Sequence, residues 1–179
     1  MSLANGFIAP CIPTRAPKPP AGRDWVHEIK HDGYRLQVRR VGDQVRLFTR
    51  RGYDWSGRYP AIAGVAAQLR ATSFTLDGEA CVCGPDGVAI FDALHRRGTV
   101  SEAMLYAFDL LELDGEDLRG MPLGDRKKRL ARLLARRPSA LQTASRSSRR
   151  CTAVAPSARP CSTRSTSYSS MARTSAPCR

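Results

Sequence analysis

Residues 27–35, HEIKHDGYR, place a lysine between a strand-like run and an Asp-Gly pair. The run from Trp25 to Lys30 contains aromatic and apolar residues, and it predicts a short β-strand. Asp32-Gly33 is a hairpin signal directly after it. A lysine on an open surface contributes little at such a point, whereas a lysine held in a cleft can act as a nucleophile. The surrounding sequence has to decide whether Lys30 is a solvated lysine at the end of a strand or a reactive amine.

Alternation of apolar and polar residues predicts most of the regular structure. Tyr34, Leu36 and Val38 alternate with polar residues, which indicates a half-buried strand that turns at Gly42-Asp43 into a partner strand. Further patterns predict a helix within 59–70, strands over 74–83 and 104–113, a short helix over 91–97 and a basic amphipathic helix over 123–135. Because strands and helices do not alternate regularly, the sequence predicts an α+β architecture with antiparallel sheets.

The composition is that of an ordinary globular chain with an excess of basic residues. No apolar run approaches the ~20 residues of a membrane helix, and the first residues lack the features of a signal peptide. We therefore expect a cytoplasmic, nucleoid-associated protein without a membrane partner. The six cysteines form no C-x-x-C pair, so a zinc site is not expected, and Cys81 and Cys83 are interpreted as small buried residues of a strand.

The net charge of +13 favours a polyanionic partner such as a nucleic acid, but it is unevenly distributed. Residues 139–179 contain seven arginines and no lysine or acidic residue, so they hold +7 of the +13. This segment has no helix or strand period and is expected to be disordered. The predicted organisation is a Pro-rich lead-in over 1–22, a folded part over 23–138 and a basic tail over 139–179.

Three further stretches contain residues suited to nucleotide chemistry. FTRRGYD (48–54) places Arg50 just past a strand, LDGEA (76–80) places two carboxylates on one strand face, and YAFDLL (106–111) places Phe108 in an apolar strand. An aromatic ring can stack on a base, and a carboxylate can bind a ribose hydroxyl or Mg²⁺. Cationic side chains can hold phosphates.

These stretches, in this order, resemble the nucleotidyltransferase motifs of ATP-dependent DNA ligases. KHDGYR is similar to the family's K-x-D-G-x-R, TRRG to its S/T-R-x-G, LDGE to its D-G-E and YAFDLL to its Y-x-x-F-D-L-L. The resemblance is greatest to the ligase domain of bacterial non-homologous end-joining ligases, and it covers residues 7–135. It implies a nucleotidyltransferase (ATP-grasp-like) adenylation domain, here incomplete.

The resemblance also implies a reaction. Lys30 would attack the α-phosphate of ATP, expel pyrophosphate and form a lysyl-AMP. AMP would then pass to the 5′-phosphate of a nicked or broken DNA duplex, and a 3′-hydroxyl would displace it. The attack requires a neutral amine, which desolvation and cations such as Arg35 or Arg50 favour. Mg²⁺ would neutralise phosphate charge.

The remaining roles are implied by the resemblance alone. The ATP-binding set comprises Glu28 at the adenine edge, Arg35, Arg50 on the ribose or phosphate, Glu79 on the ribose or Mg²⁺, and Phe108 stacked on adenine. Supporting roles in loop and strand geometry fall to Asp32 and Asp77. Surface or local hydrogen-bonding positions are expected for His27, His31 and His95. The basic run 126–129 is expected to be a solvated face, or else to touch the DNA backbone.

Two later motifs of the family, E-G-hydrophobic-V-x-K and K-x-K, cannot lie in residues 139–179, because this segment has no Glu or Lys. We predict a shift of the coding frame near Pro138 and an impaired activity; the alternative is that residues 139–179 are a genuine disordered basic tail. Translation of the genomic DNA in the other frames tests this, since one of them should contain the missing motif.

Two other functions remain open from the sequence. An RNA ligase or a GTP-using capping enzyme shares the lysine motif, and competition between ATP and GTP separates these from a DNA ligase. A basic nucleic-acid-binding remnant without catalysis would bind DNA in a salt-sensitive manner, without nucleotide dependence, and would still do so after deletion of residues 139–179. End-joining repair proteins are the expected partners of the ligase.

Overall fold

The computed structural model describes residues 6–12, 26–28, 30–85, 88–95, 97–135, 140–144 and 172–173, of which 26–27 and 172–173 are described by their backbone. The strands are β1 (Val26–His27), β2 (Tyr34–Val41), β3 (Gln44–Thr49), β4 (Ser73–Cys81), β5 (Met104–Leu113), β6 (Glu116–Asp117), β7 (Leu141–Thr143) and β8 (Ala172–Arg173). The helices are α1 (Pro60–Ala67), α2 (Phe91–Leu94) and α3 (Leu123–Leu134), and a 3-10 turn spans Ser56–Arg58.

One mixed sheet dominates the fold. Its strands run in the order β3-β2-β4-β5-β6, all pairs being antiparallel, and β7 adds to β5 as a parallel strand. A separate two-stranded pair joins β1 to β8. The predicted mixture of helices with antiparallel strands is therefore confirmed, with the parallel strand β7 as the exception.

The two faces of the sheet differ in chemistry because side chains alternate along each strand. Leu36 and Val38 of β2 point into a core that α1 and α3 cover with Ile62, Leu130 and other apolar side chains. The opposite face has a small apolar group comprising Cys81, Tyr106, Phe108 and Ala144, together with most of the charged residues described below. Because α1 and α3 cover the face that contains Leu36 and Val38, the opposite face remains available for charged and polar side chains.

Two of the predicted turns form hairpins, and one does not. Gly42, at φ 58°, joins β2 to β3, and Asp114-Gly115, at φ 48° and 86°, joins β5 to β6. The hairpin predicted at Asp32-Gly33 is wrong, because β1 pairs with β8 and not with β2.

Gly33 is required for a different reason. A Cβ atom at this position would lie 2.1 Å from the backbone oxygen of Ala80 in β4. The motif glycine therefore allows the chain that follows Lys30 to approach the neighbouring strand closely, which any larger residue would prevent.

The sequence predicts no strand after Pro138, and this is wrong for Leu141–Thr143 and for Ala172–Arg173. Leu141 is buried and its strand pairs with Leu105–Ala107 of β5. Three residues are too few to show a strand period, and their position depends on an available edge of β5. Residues 145–171 and 174–179 of the predicted tail lie outside the described residues.

Helix bounds agree with the sequence patterns to within a few residues. α3 begins at Leu123 as predicted, whereas α2 ends at Leu94, short of the predicted Arg97. None of the helices that the structure describes has both the length and the apolar character needed to cross a membrane.

Candidate active site

Residues from three strands meet on the polar face of the sheet. In the strand register, Arg35 of β2 lies opposite Glu79 of β4, and Glu79 lies opposite Tyr106 of β5. Directly opposed residues share a face and lie close together. Arg35, Glu79 and Tyr106 therefore form one row across the centre of the sheet, and Asp77 and Phe108 lie one step along it.

Lys30 lies beside this row, in the loop that leads into β2. Its Nζ atom is 3.8 Å from Oδ1 of Asp32, and its side chain is 45% exposed. The positive charge of Lys30 is also close enough to Glu79 to act on the ionisation of that carboxyl group. The lysine is therefore accessible to a ligand from solvent while it borders the charged row.

Glu79 has the most perturbed carboxyl group of the site. Burial raises the pKa of Glu79 to about 7, although the charges of Lys30 and Arg35 oppose the shift; the carboxylates of Asp77 and Asp32 add to it. A carboxyl group with this pKa exchanges its proton near neutral pH. Glu79 can therefore offer either a hydrogen-bond donor or an anionic oxygen to a ligand.

Arg35 is engaged by the protein itself. Its Nε and Nη2 atoms donate to the two oxygens of Asp77 at 3.0 and 2.6 Å, and Nη1 donates to the Cys11 carbonyl at 2.7 Å. Its guanidinium carbon also lies 5.4 Å from the centre of the Phe108 ring. Asp77 thus supports the strand geometry, and Arg35 links β2, β4 and the N-terminal segment at the edge of the site.

Arg50 lies in the turn after β3, as the sequence predicts, and its side chain is exposed. It borders a recess that also contains Arg35 and Asp77; the other lining residues are Phe7, Pro10, Gln37 and Thr49. The structure therefore groups Arg50 with the Arg35–Asp77 pair, while Lys30 and Glu79 lie outside this recess.

Glu28 and Phe108 are brought together by a residue that sequence reasoning missed. The Nζ atom of Lys127 in α3 donates to Oε1 of Glu28 at 2.5 Å and to the Phe108 carbonyl at 2.6 Å. The helical spacing in the sequence could have revealed Lys127. It follows the buried Leu123 by one helical turn and precedes the buried Leu130 by three residues. A lysine on the apolar stripe of a helix needs a partner.

The interpretation of 126–129 as a solvated face is consequently wrong for its first half. Arg126 forms a bidentate salt bridge with Asp109, in which Nε and Nη2 donate to the two carboxylate oxygens at 2.9 and 3.0 Å. Both side chains are mostly buried. Only Lys128 and Arg129 point outward, because α3 packs its other side against β5.

The expected surface position of His31 is also wrong. Its ring lies flat on Tyr106, with centroids 3.9 Å apart and an interplanar angle of 13°. The residue is buried, and burial lowers the pKa of His31. His95 does form the expected local hydrogen bond, 3.1 Å from the Tyr34 hydroxyl, and the His27 side chain lies outside the described residues.

A metal would find few protein ligands here. No group of three or more His, Cys, Asp or Glu side chains in the described ranges could hold an ion alone. Mg²⁺, however, is commonly held by one or two carboxylates together with substrate phosphates. Glu79 fits that lesser requirement.

Comparison with known proteins identifies the family. The family described as "ATP dependent DNA ligase domain" matches residues 15–157. The chain belongs to this ATP-dependent DNA ligase family. The resemblance inferred from the four ordered motifs is therefore confirmed.

Curated relatives of this ligase-family chain include end-joining proteins. "Multifunctional non-homologous end joining protein LigD" of Pseudomonas aeruginosa is 39% identical over 131 residues, which cover 72% of this chain and 16% of the relative. The Mycobacterium tuberculosis protein of similar name is 41% identical over 109 residues, covering 61% and 14%. "Probable DNA ligase" of Streptomyces griseus is 38% identical and covers 60% and 23%.

Solved structures agree with this assignment. The ligase domain from M. tuberculosis LigD is 37% identical, with a TM-score of 0.58, over 65% of this chain and 39% of that domain. A mycobacterial DNA ligase D complexed with ATP and MES is 36% identical, with a TM-score of 0.57, over 66% and 39%. The chain therefore spans about two fifths of the solved ligase domains and a smaller part of the curated relatives.

Proposed function

We propose that this chain is part of an end-joining type, ATP-dependent DNA ligase and that Lys30 receives AMP from ATP. AMP would then pass to a DNA 5′-phosphate, and a nick or break would be sealed in repair and recombination. Family membership supports the reaction class. The observation that carries the role of Lys30 is its position, accessible to solvent and next to the partly buried carboxyl group of Glu79.

The first step joins the Nζ atom of Lys30 to the α-phosphorus of ATP while the bond to pyrophosphate breaks. The amine has to lose a proton for this attack. Glu79, whose pKa is about 7, can accept a proton at neutral pH when it is ionised. Its two protonation states allow it either to receive a proton from the site or to bind a ribose hydroxyl.

The other ligand-binding residues surround this centre. Arg50 is exposed at the edge of its recess, where it can reach a ribose or phosphate, and Arg35 contributes positive charge from its fixed position. Glu28 would accept a hydrogen bond at the adenine edge, and Phe108 would contact the adenine ring. These roles rest on the motif resemblance together with the placement of the residues.

Mg²⁺, when bound with ATP, supplies charge neutralisation on the phosphates, and Glu79 is the carboxylate of this site suited to hold it. The residues of the chain do the remaining work: Lys30 provides the nucleophile, and Arg35 and Arg50 provide positive charge near the phosphates. Asp77 keeps Arg35 in place through its two hydrogen bonds to the guanidinium group.

Incubation of the chain with α-labelled ATP and Mg²⁺ tests the proposal. Covalent label on the denatured protein is expected, and Lys30→Ala should abolish it. Lys128→Ala is the matched control, because Lys128 is an exposed lysine of α3 that pairs with Asp125 on its own helix. An unlabelled protein with a cooperative unfolding transition would contradict adenylation by this chain, as would label that persists in Lys30→Ala.

The frameshift and the impaired activity remain predictions. Residues 139–179 contain no Glu or Lys that could complete the two later motifs. A low yield of lysyl-AMP, and no sealing of nicked DNA, would agree with an incomplete catalytic set. Binding to end-joining repair proteins likewise remains a prediction.

A second candidate function is nucleic-acid binding without catalysis, which the net charge of +13 supports and which should survive deletion of residues 139–179. This charge favours sequence-independent binding to DNA or RNA, with an affinity that falls steeply as salt increases. If a filter-binding assay shows such binding with Lys30→Ala and without nucleotide, the chain can act on nucleic acid without catalysis. Labelling by GTP in preference to ATP would instead favour a capping-type enzyme.

A further inference from the structure

We propose that Lys127 is a positioning residue that holds Glu28 as a fixed hydrogen-bond acceptor and thereby makes the site select adenine over guanine. This inference rests on the proposed function, in which Glu28 lies at the adenine edge. It assigns a role to a side chain of α3 that the four sequence motifs do not include.

The geometry of the amine carries the first step. Lys127 Nζ lies 2.5 Å from Oε1 of Glu28 and 2.6 Å from the carbonyl oxygen of Phe108. The side chains of Lys127 and Glu28 are 20% and 16% exposed, respectively. Glu28 is 99 residues away in the chain, whereas Phe108 is 19 away. One ammonium group therefore ties the segment before Lys30 to β5.

The helix explains why the amine stays there. Lys127 lies on the same stripe of α3 as Leu123, Leu130 and Leu134, all of which are buried. Packing of this stripe fixes the Cα position of Lys127 against β5. Lys128, by contrast, is 71% exposed and pairs with Asp125 on its own helix. The two adjacent lysines therefore differ in function although their chemistry is identical.

The contact determines what Glu28 can offer a base. An ammonium group donates hydrogen bonds and cannot accept them, so its contact with Glu28 uses a carboxylate oxygen as the acceptor. An ionised carboxylate has several acceptor sites and no donor, and Lys127 uses only one of those sites. At the six position, adenine presents an amino donor and guanine presents a carbonyl acceptor. A fixed carboxylate attracts the former and repels the latter.

The same amine also fixes the backbone of Phe108. In the proposed function the ring of Phe108 contacts the plane of the base, while Glu28 contacts its edge. Because Lys127 bonds to both residues, it sets their relative position before the nucleotide arrives. Preorganised contacts of this kind improve binding because less conformational freedom is lost when the ligand binds.

Nucleotide binding by the unsubstituted chain, Lys127→Met and Lys127→Arg tests the inference, with Lys128→Met as the matched control. The ATP and GTP dissociation constants are measured by displacement of a fluorescent ATP analogue. We expect Lys127→Met to weaken ATP binding by about tenfold to a hundredfold, the range for hydrogen bonds that involve charged groups. GTP binding should change little, so the preference for ATP falls. Lys127→Arg, which keeps a cationic donor, should retain much of the preference for ATP.

Labelling with ATP adds a kinetic readout. In Lys127→Met the ATP concentration that gives half of the maximal labelling rate should rise, while the maximal rate itself changes little, because the ground state and the transition state share the adenine contact. If Lys127→Met does not fold, Glu28→Gln tests the same point with Lys127 present. The amide of glutamine can turn its NH₂ group toward the guanine carbonyl, so the preference for ATP should fall there too.

The outcomes separate the two proposals. An unchanged ratio of ATP to GTP affinity in Lys127→Met, or an equal change in Lys128→Met, overturns the role of Lys127 and leaves the proposed function intact. If the unsubstituted chain binds ATP without any preference over GTP, the same conclusion holds. If it binds neither nucleotide, the proposed function fails and this inference fails with it.

Discussion

Arg35 and Asp77, on neighbouring strands, form a mostly buried bidentate salt bridge with nitrogen–oxygen distances of 3.0 and 2.6 Å. The pair bridges β2 and β4 next to Glu79, the carboxyl group with the raised pKa. A charged link of this kind is sensitive to the loss of either partner, because the remaining charge stays in a poorly solvated position.

Asp77→Ala should therefore destabilise the fold strongly. We expect a loss of about 3–5 kcal/mol in the free energy of unfolding, the range for a broken buried pair. Chemical denaturation followed by circular dichroism measures it. Asp117→Ala is the control, because the Asp117–Arg119 pair is largely exposed and should contribute less than about 1 kcal/mol. Equal losses in the two variants would contradict the importance of burial.

Gly33→Ala should disturb the approach of the Lys30 loop to β4. The added Cβ would lie 2.1 Å from the Ala80 carbonyl oxygen, so the backbone has to shift. A destabilisation of at least about 1–3 kcal/mol is expected for such overpacking. Gly64→Ala in α1 is the matched substitution with open space around it, and it should stabilise the helix by about 0.5–1 kcal/mol. A lower melting temperature for Gly33→Ala together with a higher one for Gly64→Ala would support the close approach of the Gly33 backbone to β4.

Glu79→Gln should change how stability depends on pH. The pKa of Glu79 is raised from 4.5 to about 7 by folding, mainly by burial, so the folded state binds this proton more tightly than the unfolded state. The resulting stabilisation is complete below pH 4.5 and is lost as the pH rises through 7. Relative to Glu79→Gln, the unsubstituted chain should therefore lose stability between these values. Urea denaturation midpoints across this range measure the difference, and a constant difference would contradict the shift.

His31→Phe should produce the opposite trend. Burial lowers the pKa of His31 below its usual 6.5, so the folded state binds this proton less tightly. The contribution to stability is present above pH 6.5 and is lost as the pH falls through the lowered pKa. A phenylalanine preserves stacking on Tyr106 without a titrating group. The loss of stability at acid pH should therefore be smaller in His31→Phe than in the unsubstituted chain.

His31→Ala separates the stack from the titration. Removing the ring should cost about 0.5–1.5 kcal/mol beyond the lost burial, the usual contribution of an aromatic pair. The loss should appear at neutral pH, where His31→Phe is close to the unsubstituted chain. If His31→Phe and His31→Ala are equally unstable at neutral pH, the stack contributes nothing.

Local sequence patterns predicted those parts of the fold that depend on neighbours along the chain. Alternation located β2, a strongly apolar run located β5, and the turn residues at 42–43 and 114–115 located the ends of these two strands. These features follow from backbone preferences and from periodic burial, which a short window of sequence contains. The order of the motifs likewise identified the family without any structure.

Contacts between distant segments decided the rest. The sequence alone did not reveal that β1 pairs with β8, that His31 stacks on Tyr106, or that β7 adds to β5. Each depends on which surface another part of the chain leaves available.

Lys127 shows the division most clearly. Its helical position, one turn after Leu123 and three residues before Leu130, follows from the sequence because the helical period is a local property, yet the charge of the run 126–129 suggests a solvated face. Only the tertiary structure decided that its amine meets Glu28 and the Phe108 carbonyl, because three separate segments must pack together before a buried charge acquires its partners.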